Sequence, residues 1–471
     1  MRYYFMGICG TAMGNAALLL QKQGHEIVGS DSGVYPPMST VLLESGVKIF
    51  DGYSEDNLKH KPLDYVVVGN AISRGNPEIE WLLETREYPM VSLPQLLSEQ
   101  ILRHRRNVVV TGTHGKTTTT TLAASILNEG DRDPGWLVGG IPMDLAGGAH
   151  LGEDTQPFVI EGDEYDSAFF DKRSKFIHYQ PHILILNNLE FDHGDIFRDL
   201  EDVKRTFTHL LRTVPRNGHV LANGDDANIL SLLPVPWTTV YTVGFTEGND
   251  LQIHDFSEGP KGSGFQLSWH GQDWGCFSWQ QCGEFNARNA AMALLSSTLV
   301  LDLARPTSGM VEKLQGFTGV KRRQETLVES EGIHVMEDFA HHPTALAGTL
   351  ASFRNRFPDR HVVACFEPRS NTAATNIFQA EFTKALSHAD EILLGVVHRG
   401  ETIPEDQRLD TCAIASSLSR DGLLARAFES NAELLGHLQD RFNRWTGDPV
   451  LICFFSNGGF DGVPASFASD V

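Results

Sequence analysis

The chain has 471 residues, of which 41% are hydrophobic and 21% are charged, and its formal net charge is −22. This length exceeds what one hydrophobic core usually serves, so we expect two or three domains. The strong negative charge argues against nonspecific binding to nucleic acid, and the sequence has no apolar run long enough to insert into a membrane.

The N-terminus and the cysteines indicate the compartment. The first ten residues, MRYYFMGICG, lead directly into a strand-like run and a glycine turn, without the basic, apolar and cleavage regions of a secretion signal. The six cysteines are scattered and form no CxxC pair, which favours reduced thiols over a disulfide framework or a zinc site. We therefore expect a cytoplasmic protein. The sequence does not indicate its oligomeric state.

Strand-like and helix-like segments alternate along the chain and predict an α/β fold of three domains. Residues 1–103 form a Rossmann-like unit, which ends at an arginine-rich stretch before the valine run at 108–110. Residues 104–319 form a P-loop ATPase-like unit, in which residues 246–280 have the composition of a β-ribbon. Residues 320–471 form a further Rossmann-like α/β unit, with strands at 361–365 and 450–453.

The most informative segment is TGTHGKTTTT at 111–120, which follows a β-type run and precedes a helix-compatible segment at 122–127. Its glycines allow close backbone approach to phosphate, Lys116 brings a positive charge, and the Thr117 hydroxyl can bind Mg²⁺. The spacing departs from the common phosphate loop because Val110 occupies the place of the first glycine. The segment predicts ATP binding.

Two acidic strings follow predicted strands of the same domain: EGDEYDS at 161–167 and NNLEFDH at 187–193. Carboxylates and an imidazole at the ligand-binding edge of a sheet can hold cations that bridge phosphate oxygens. Glu161 and His193 are therefore candidate metal ligands beside Thr117. On spacing alone, a solvated acidic loop and a structural histidine remain open alternatives.

The N-terminal loop GICGTAMG at 7–14 precedes Asp31 by about one strand and is suited to a diphosphate at a helix N-terminus. It lacks the GxGxxG spacing of dinucleotide-binding proteins, so a different diphosphate ligand is favoured over NAD. A purely structural glycine turn remains open.

Together these strings resemble the Mur ligases of peptidoglycan synthesis. The resemblance rests on GTHGKTTT, EGDEYDS and NNLEFDH, on FNARN at 285–289 and on EDFAHHPTA at 337–345, and it covers essentially the whole chain. The N-terminal loop and GNAISRGNPE at 69–78 are similar to the branch that acts on UDP-N-acetylmuramate. VYPPMS at 34–39, FEPRSNT at 366–372 and SNGGFDG at 456–462 are more similar to the members that reattach a recovered wall tripeptide than to those that add L-alanine.

The resemblance implies an ATP-dependent amide ligase with an acyl-phosphate intermediate and two Mg²⁺ ions, with UDP-N-acetylmuramate and the tripeptide L-Ala-γ-D-Glu-meso-diaminopimelate as substrates. The implied catalytic residues are Lys116, Glu161, His193 and Arg323, and the implied metal ligands are Thr117, Glu161 and His193. The implied ATP-binding residues are Gly112, Thr113, His114, Gly115, Lys116, Thr117, Thr118, Asn286, Asn289, Arg323 and Asp338. For the UDP-sugar they are Gly7, Cys9, Gly10, Thr11, Ala12, Met13, Gly14, Asp31, Asn70 and Ser73, and for the peptide Arg369, Ser370 and Asn371.

Several points stay open at this level. His341 and His342 belong to the implied nucleotide-closing loop without an assignable role. Some Mur ligases carry a carbamylated lysine, but Lys204 lies closer to His193 than in those relatives and is interpreted as a solvated, unmodified helix lysine. The C-terminal domain is expected to be open without ligands and to close over them. An L-alanine-adding ligase, an NAD-dependent dehydrogenase and a nonenzymatic UDP-sugar-binding regulator are the alternatives.

Overall fold

The computed structural model describes residues 1–35, 38–442 and 445–471. In this part of the chain, three mainly parallel sheets follow one another along the sequence, and each carries helices on its faces. The α/β class with Rossmann-like outer domains is therefore confirmed. The predicted segment at 34–39 includes residues 36 and 37, which lie outside the described residues. The exact domain boundaries at 103 and 319 stay a prediction.

The first sheet is parallel throughout and has the strand order β3-β2-β1-β4-β5. Its strands are β1 (Arg2–Met6), β2 (Glu26–Asp31), β3 (Lys48–Asp51), β4 (Tyr65–Val68) and β5 (Met90–Ser92). The helices are α1 (Thr11–Lys22), α2 (Met38–Glu44), α3 (Pro77–Thr85) and α4 (Leu93–Leu97), the last continuing into a π-turn at Ser98–Leu102. The order reverses between β1 and β4, where such sheets open a ligand crevice at the carboxyl ends of the strands.

The second sheet has the order β17-β16-β15-β14-β13-β12-β6-β9-β7-β8. Its strands, with the hairpin β10–β11, are β6 (Asn107–Thr111), β7 (Gly135–Leu137), β8 (Ala149–His150), β9 (Phe158–Glu161), β10 (Asp166–Ala168), β11 (Asp171–Ser174), β12 (Pro181–Leu186), β13 (His219–Asn223), β14 (Thr239–Gly244), β15 (Leu251–Gly259), β16 (Gly262–Trp269) and β17 (Gln272–Trp279). The helices are α5 (Lys116–Leu127), α6 (Leu200–Leu211), α7 (Ala227–Leu230), α8 (Glu284–Val300) and α9 (Ser308–Gln315). The antiparallel meander β15–β17 confirms the predicted β-ribbon.

The third sheet has the order β18-β19-β23-β20-β21-β22, in which only the β18–β19 pairing is antiparallel among the described strands. Its strands are β18 (Glu325–Glu329), β19 (Ile333–Asp338), β20 (His361–Phe366), β21 (Glu391–Leu394), β22 (Leu424–Ala427) and β23 (Val450–Phe455). The helices are α10 (Pro343–Arg356), α11 (Gln379–Leu386), α12 (Thr411–Arg420), α13 (Asn431–Phe442) and α14 (Val463–Asp470). The strands predicted at 361–365 and 450–453 are confirmed.

Helices cover both faces of each sheet, so the parallel strands are continuous apolar runs rather than alternating ones. The side chains of residues 66–68 in β4 and of 108–110 in β6 are fully buried. One apolar cluster is shared by the first two sheets: it joins Tyr3 and Leu97 to Val109, Leu184 and Phe207. The third sheet has separate apolar clusters, whose members all lie at or after residue 327.

Two expectations about chemistry and environment can be compared with the structure. The six cysteines are free thiols, as predicted. Among the described helices, none combines the length and the apolarity that crossing a membrane requires.

One buried histidine should make stability depend on pH. His334 in β19 packs edge-on against Phe357, and its Nε2 lies 3.2 Å from Thr326 Oγ1. Burial lowers the pKa of His334 to about 4. Because the unfolded chain binds a proton near the ordinary pKa of 6.5, the stability contribution is present above about pH 6.5 and is lost as the pH falls toward about 4.

In the wild type, protonation of His334 should lower the unfolding free energy by about 2 kcal/mol between pH 7 and pH 4.5. We expect His334→Gln to lack this decrease, because glutamine does not titrate. Denaturant unfolding at the two pH values measures this difference. His209→Gln, which changes an exposed histidine of α6, is the matched control and should keep the wild-type pH dependence. An unchanged pH dependence in His334→Gln would contradict the assignment.

Candidate active site

The phosphate loop connects the end of β6 to the start of α5, as the sequence predicts. Two of its glycines have positive φ: +132° at Gly112 and +78° at Gly115. A Cβ atom on Gly115 would lie 2.8 Å from Asn289 Oδ1, so no larger residue fits at that position without displacing Asn289. The loop therefore depends on glycine for its conformation and for its contact with α8.

The backbone amides of the loop divide into two groups. Thr113 N–H donates to the Asn188 carbonyl over 3.2 Å, and His114 N–H donates to Asn188 Oδ1 over 2.7 Å. These two amides hold the loop itself. The N–H groups available to phosphate are those of the first turn of α5, which includes Lys116, Thr117 and the buried Thr118, because the first turn of a helix has no intrahelical acceptors for them.

Lys116 is the first of three ionisable side chains that contact one another in a row. Its Nζ donates to the Gly112 carbonyl over 2.8 Å and lies 3.0 Å from Glu164 Oε2, while Glu164 Oε1 lies 3.1 Å from His193 Nε2. Burial disfavours the charge on Lys116, but Glu164 and Asp163 outweigh it and raise the pKa of the lysine. Glu164 in turn is buried, yet Lys116 and His193 lower its pKa to about 2. Glu164 therefore bridges Lys116 and His193.

Glu161 lies beside the phosphate loop at the end of β9. Its Oε2 accepts from Thr117 Oγ1 over 3.3 Å, and its Oε1 accepts from the Gly139 amide over 2.7 Å. Burial, followed by the charge of Asp163, raises the pKa of Glu161 to about 7. A hydroxyl and a half-buried carboxylate this close together form a hard oxygen donor set that fits Mg²⁺.

Arg323 extends from the segment before the third sheet to the phosphate loop. Its Nη2 donates to Thr117 Oγ1 over 3.2 Å, and its guanidinium lies 4.1 Å from the centre of the Phe339 ring. Asp338 holds this segment by accepting from the Gln324 and Ala340 amides over 2.9 and 2.8 Å. Burial lowers the pKa of Arg323 and raises that of Asp338. Asp338 therefore positions the arginine.

The two asparagines of α8 are buried next to the loop. Asn286 Nδ2 donates to the Cys282 carbonyl over 2.8 Å, and Asn289 Nδ2 donates to Asn286 Oδ1 over 3.2 Å. Asn289 Oδ1 accepts from Asn187 Nδ2 over 3.4 Å. The pair therefore lies next to the phosphate loop, and its contact with adenine stays a prediction.

The predicted UDP-sugar residues lie at the crevice between β1 and β4. Gly7 has a φ of +79°, and Asp31 orders the loop by accepting from the Cys9 amide over 2.8 Å and the Gly33 amide over 2.9 Å. Asn70 and Ser73 are exposed on the loop after β4. The other predicted residues form the first turns of α1 or directly precede it: Gly10, Thr11, Ala12, Met13 and Gly14. Of these, Met13 packs its side chain into the apolar core, so only its backbone is available to a ligand.

The three candidate peptide residues follow β20, and one of them contacts the central domain. Arg369 Nη1 lies 3.5 Å from the buried Glu367, and Ser370 Oγ accepts from the Ala373 amide over 3.0 Å. Asn371 Nδ2 donates to Asp195 Oδ2 of the central domain over 2.8 Å. Asn371 thus lies across a domain interface from the His193 loop.

The interpretation of Lys204 as a solvated lysine is wrong in one respect. Its side chain in α6 is only 19% exposed, and Nζ lies 3.1 Å from Glu201 Oε1. This contact with a carboxylate gives the amine a partner without carbamylation, which a second negative group beside Glu201 would oppose.

Four important side chains were not assigned from the sequence: Glu164, Glu190, Asp192 and Phe339. Each lies inside one of the strings EGDEYDS, NNLEFDH and EDFAHHPTA. Asp192 links domains, because its carboxylate lies 3.7 Å from His341 Nε2. Burial opposes its charge, but His341 and His193 hold the pKa of Asp192 well below the ordinary value. Which acidic residue of a loop faces inward depends on the loop backbone, and residue spacing carries no signal for that.

Comparison with known proteins shows the family of the chain. Residues 2–105, 110–297 and 322–453 match the domains described as "Mur ligase family, catalytic domain", "Mur ligase middle domain" and "Mur ligase, glutamate ligase domain". The chain is 39% identical over 467 residues to the UDP-N-acetylmuramate–L-alanyl-γ-D-glutamyl-meso-2,6-diaminoheptandioate ligase of Escherichia coli K12, covering 98% of this chain and 96% of that protein. The chain belongs to the Mur ligase family.

Two solved Mur ligase structures cover the whole length of the chain. A murein peptide ligase from Psychrobacter arcticus is 34% identical with a TM-score of 0.72, and the match covers 100% of this chain and 99% of that one. The UDP-N-acetylmuramate–alanine ligase MurC from Thermotoga maritima has a TM-score of 0.78 over 100% and 98% of the two chains, but it is only 23% identical. The second likeness shows the Mur ligase fold alone.

Proposed function

We propose that this Mur ligase joins the tripeptide L-Ala-γ-D-Glu-meso-diaminopimelate to UDP-N-acetylmuramate through an acyl phosphate, at the expense of ATP, in peptidoglycan recycling. The observation that carries the ligase chemistry is the contact of Arg323 with Thr117 beside Glu161, because it brings a C-terminal cation onto the phosphate loop. The choice of amine rests on the 39% identity to the Escherichia coli tripeptide ligase. The proposal includes a cytoplasmic location, where ATP is available.

In the first step, the lactyl carboxylate attacks the γ-phosphorus of ATP. An O–P bond forms to the carboxylate, and the bond to the β-phosphate oxygen breaks to release ADP. Lys116, the N-terminus of α5 and Arg323 stabilise the negative charge on the phosphoryl oxygens in this step. Glu164 keeps the lysine charged and fixes its position.

In the second step, the neutral amine of the tripeptide attacks the acyl carbon and a tetrahedral intermediate forms. The C–O bond to phosphate then breaks, and the nitrogen loses one proton, which the departing phosphate can accept, as the amide is made. The residues proposed for Mg²⁺ are Thr117, Glu161 and His193; two ions there would supply charge neutralisation for the phosphate oxygens. Arg369 is the proposed partner for a peptide carboxylate, because a planar guanidinium binds a carboxylate through two parallel hydrogen bonds.

Each of the three sheets belongs to a domain with its own proposed ligand. We propose that residues 1–103 bind the UDP-sugar, that residues 104–319 bind ATP, and that residues 320–471 close over ATP and hold the peptide. The contacts of Arg323 with Thr117 and of Asn371 with Asp195 support the last assignment. The opening of the C-terminal domain without ligands stays a prediction, which scattering with and without substrates would test.

The alternatives are less well supported. The alanine-adding MurC matches with 23% identity against 34% for the murein peptide ligase. A dehydrogenase would need a dinucleotide-binding glycine pattern at 7–14, which the loop lacks. A nonenzymatic regulator has no physical need for the buried Lys116–Glu164–His193 triad, since buried charges are costly to maintain.

The function is tested by phosphate release from ATP and Mg²⁺ with UDP-N-acetylmuramate, comparing the tripeptide with L-alanine as the amine. We expect turnover with the tripeptide and little or none with L-alanine. Turnover with L-alanine alone would assign the chain to the biosynthetic branch. Absence of turnover with either amine, in a protein that still binds the UDP-sugar, would favour the regulator.

A further inference from the structure

A second group of metal-ligand side chains lies at the interface between the phosphate loop and the C-terminal domain. It consists of His114 in the loop, Glu190 after β12, and His342 directly before α10, and their potential ligand atoms all lie within 4.8 Å of one another. His114 Nε2 lies 2.9 Å and His342 Nδ1 3.3 Å from the same oxygen, Glu190 Oε2. Two ring nitrogens therefore converge on one carboxylate oxygen.

The hydrogen bonds of His342 determine which nitrogen is free. Nε2 lies 3.3 Å from the Phe191 carbonyl, which can only accept, so the ring hydrogen is on Nε2. Nδ1 accepts from the Thr344 amide over 3.4 Å, and its lone pair also faces Glu190 Oε2. With the ring hydrogen on Nε2, two acceptors, His342 Nδ1 and Glu190 Oε2, face each other over 3.3 Å.

A cation between these atoms removes that conflict. A histidine that binds a metal usually donates its other ring N–H to a carbonyl or carboxylate, as His342 does to Phe191. Glu190 is held in the same manner, because its Oε1 accepts from Thr344 Oγ1 over 2.8 Å and leaves Oε2 for the metal. The rings of His114 and His342 lie 4.7 Å apart between centres, so little movement would bring both nitrogens to one ion.

A metal ion can reach this site from solvent, and its ligands favour some metals over others. Glu190, His342 and Thr344 line a cavity of about 470 Å³ between the two domains, which gives an ion a path from solvent. Two imidazoles and one carboxylate suit Zn²⁺, Co²⁺ or Ni²⁺ better than Mg²⁺, which prefers oxygen ligands. The group differs from the proposed Mg²⁺ site of Thr117, Glu161 and His193 and shares no residue with it.

We propose that His114, Glu190 and His342 form a binding site for a transition-metal ion of the zinc class. Since His342 belongs to the C-terminal domain and the other two ligands belong to the central domain, the bound ion links the two domains. Occupancy therefore stabilises the arrangement in which the C-terminal domain contacts the phosphate loop.

Binding of Co²⁺ to the full chain tests the site, with excess Mg²⁺ present and nucleotide absent. Visible absorption titrations should show one bound Co²⁺, and its affinity should fall at least about tenfold in His342→Ala and in Glu190→Gln. Glu190→Gln keeps the side-chain shape and guards against loss of folding in His342→Ala. Co²⁺ should also raise the melting temperature of the wild type and not that of His342→Ala.

Two further variants separate this site from other sources of binding. His388→Ala removes a histidine of the same cavity that lies outside the group, and it should bind Co²⁺ as the wild type does. His193→Ala removes the proposed Mg²⁺ ligand and should also keep the Co²⁺ site. Loss of binding in His193→Ala with retention in His342→Ala would place Co²⁺ in the magnesium site and overturn the proposal, as would equal affinity in all the variants.

Discussion

Replacing Lys116 with alanine should lower the rate of ATP-dependent amide formation by about 10³-fold. Removal of one preorganised group that stabilises transition-state charge typically costs about 10²- to 10³-fold, and Lys116 is fully ionised in the buried site. The truncation also leaves the buried Glu164 without its nearest cation, which adds a cost in stability. Phosphate release at saturating substrates measures the loss in kcat.

The affinity for the UDP-sugar shows whether Lys116→Ala disturbs only the phosphate loop or the whole protein. Titration calorimetry should give nearly the same affinity for UDP-N-acetylmuramate in Lys116→Ala and in the wild type, because the crevice at β1 and β4 belongs to the first sheet. Lys172→Ala is a matched control, since that lysine is 69% exposed and pairs with Asp166 at the surface. A large loss of UDP-sugar affinity in Lys116→Ala would contradict the domain assignment.

Replacing Glu164 with glutamine should lower kcat by about 10²-fold while the fold is kept. Glutamine preserves the shape but removes the charge that holds Lys116 and His193. Burial by itself would lower the pKa of His193. The hydrogen bond and the charge of Glu164 outweigh burial, so the pKa of His193 is raised. The pKa of His193, measured by NMR without Mg²⁺, should therefore fall in the variant.

The pKa measurement excludes a purely structural explanation. Asp166→Asn removes another carboxylate of the same string, whose partner is the exposed Lys172, and it should leave both kcat and the pKa of His193 unchanged. If Glu164→Gln kept wild-type turnover, or if the pKa of His193 did not move, the triad would have no part in the reaction.

The fold was predictable because the strongest signals are local. Apolar runs that end at glycine or acidic residues mark parallel strands, and the glycine pattern at 112–115 requires backbone angles that few other residues adopt. The phosphate loop, the β-ribbon and the C-terminal strands followed from such patterns.

The site was predictable only in part because inward-facing side chains depend on contacts distant in sequence. Glu164 lies three residues from the expected Glu161 in the same string, and its role becomes visible only when His193 is beside it. His114 similarly belongs to the phosphate loop, but its side chain points to Glu190 and His342. The His114–His342 contact joins residues from two domains, and no spacing along the chain encodes it.

The apolar cluster shared by the first two sheets has a consequence for cooperativity. Because Tyr3 and Leu97 pack in the same cluster as Val109 and Phe207, one face of the first sheet shares its core with the second domain, while the other face carries a cluster of its own. The two should unfold together as one cooperative unit, whereas the third sheet, with separate clusters, forms another. The three proposed ligand-binding regions are thus built on two units of folding, and UDP-sugar binding to the first domain should therefore raise the thermal resistance of the second.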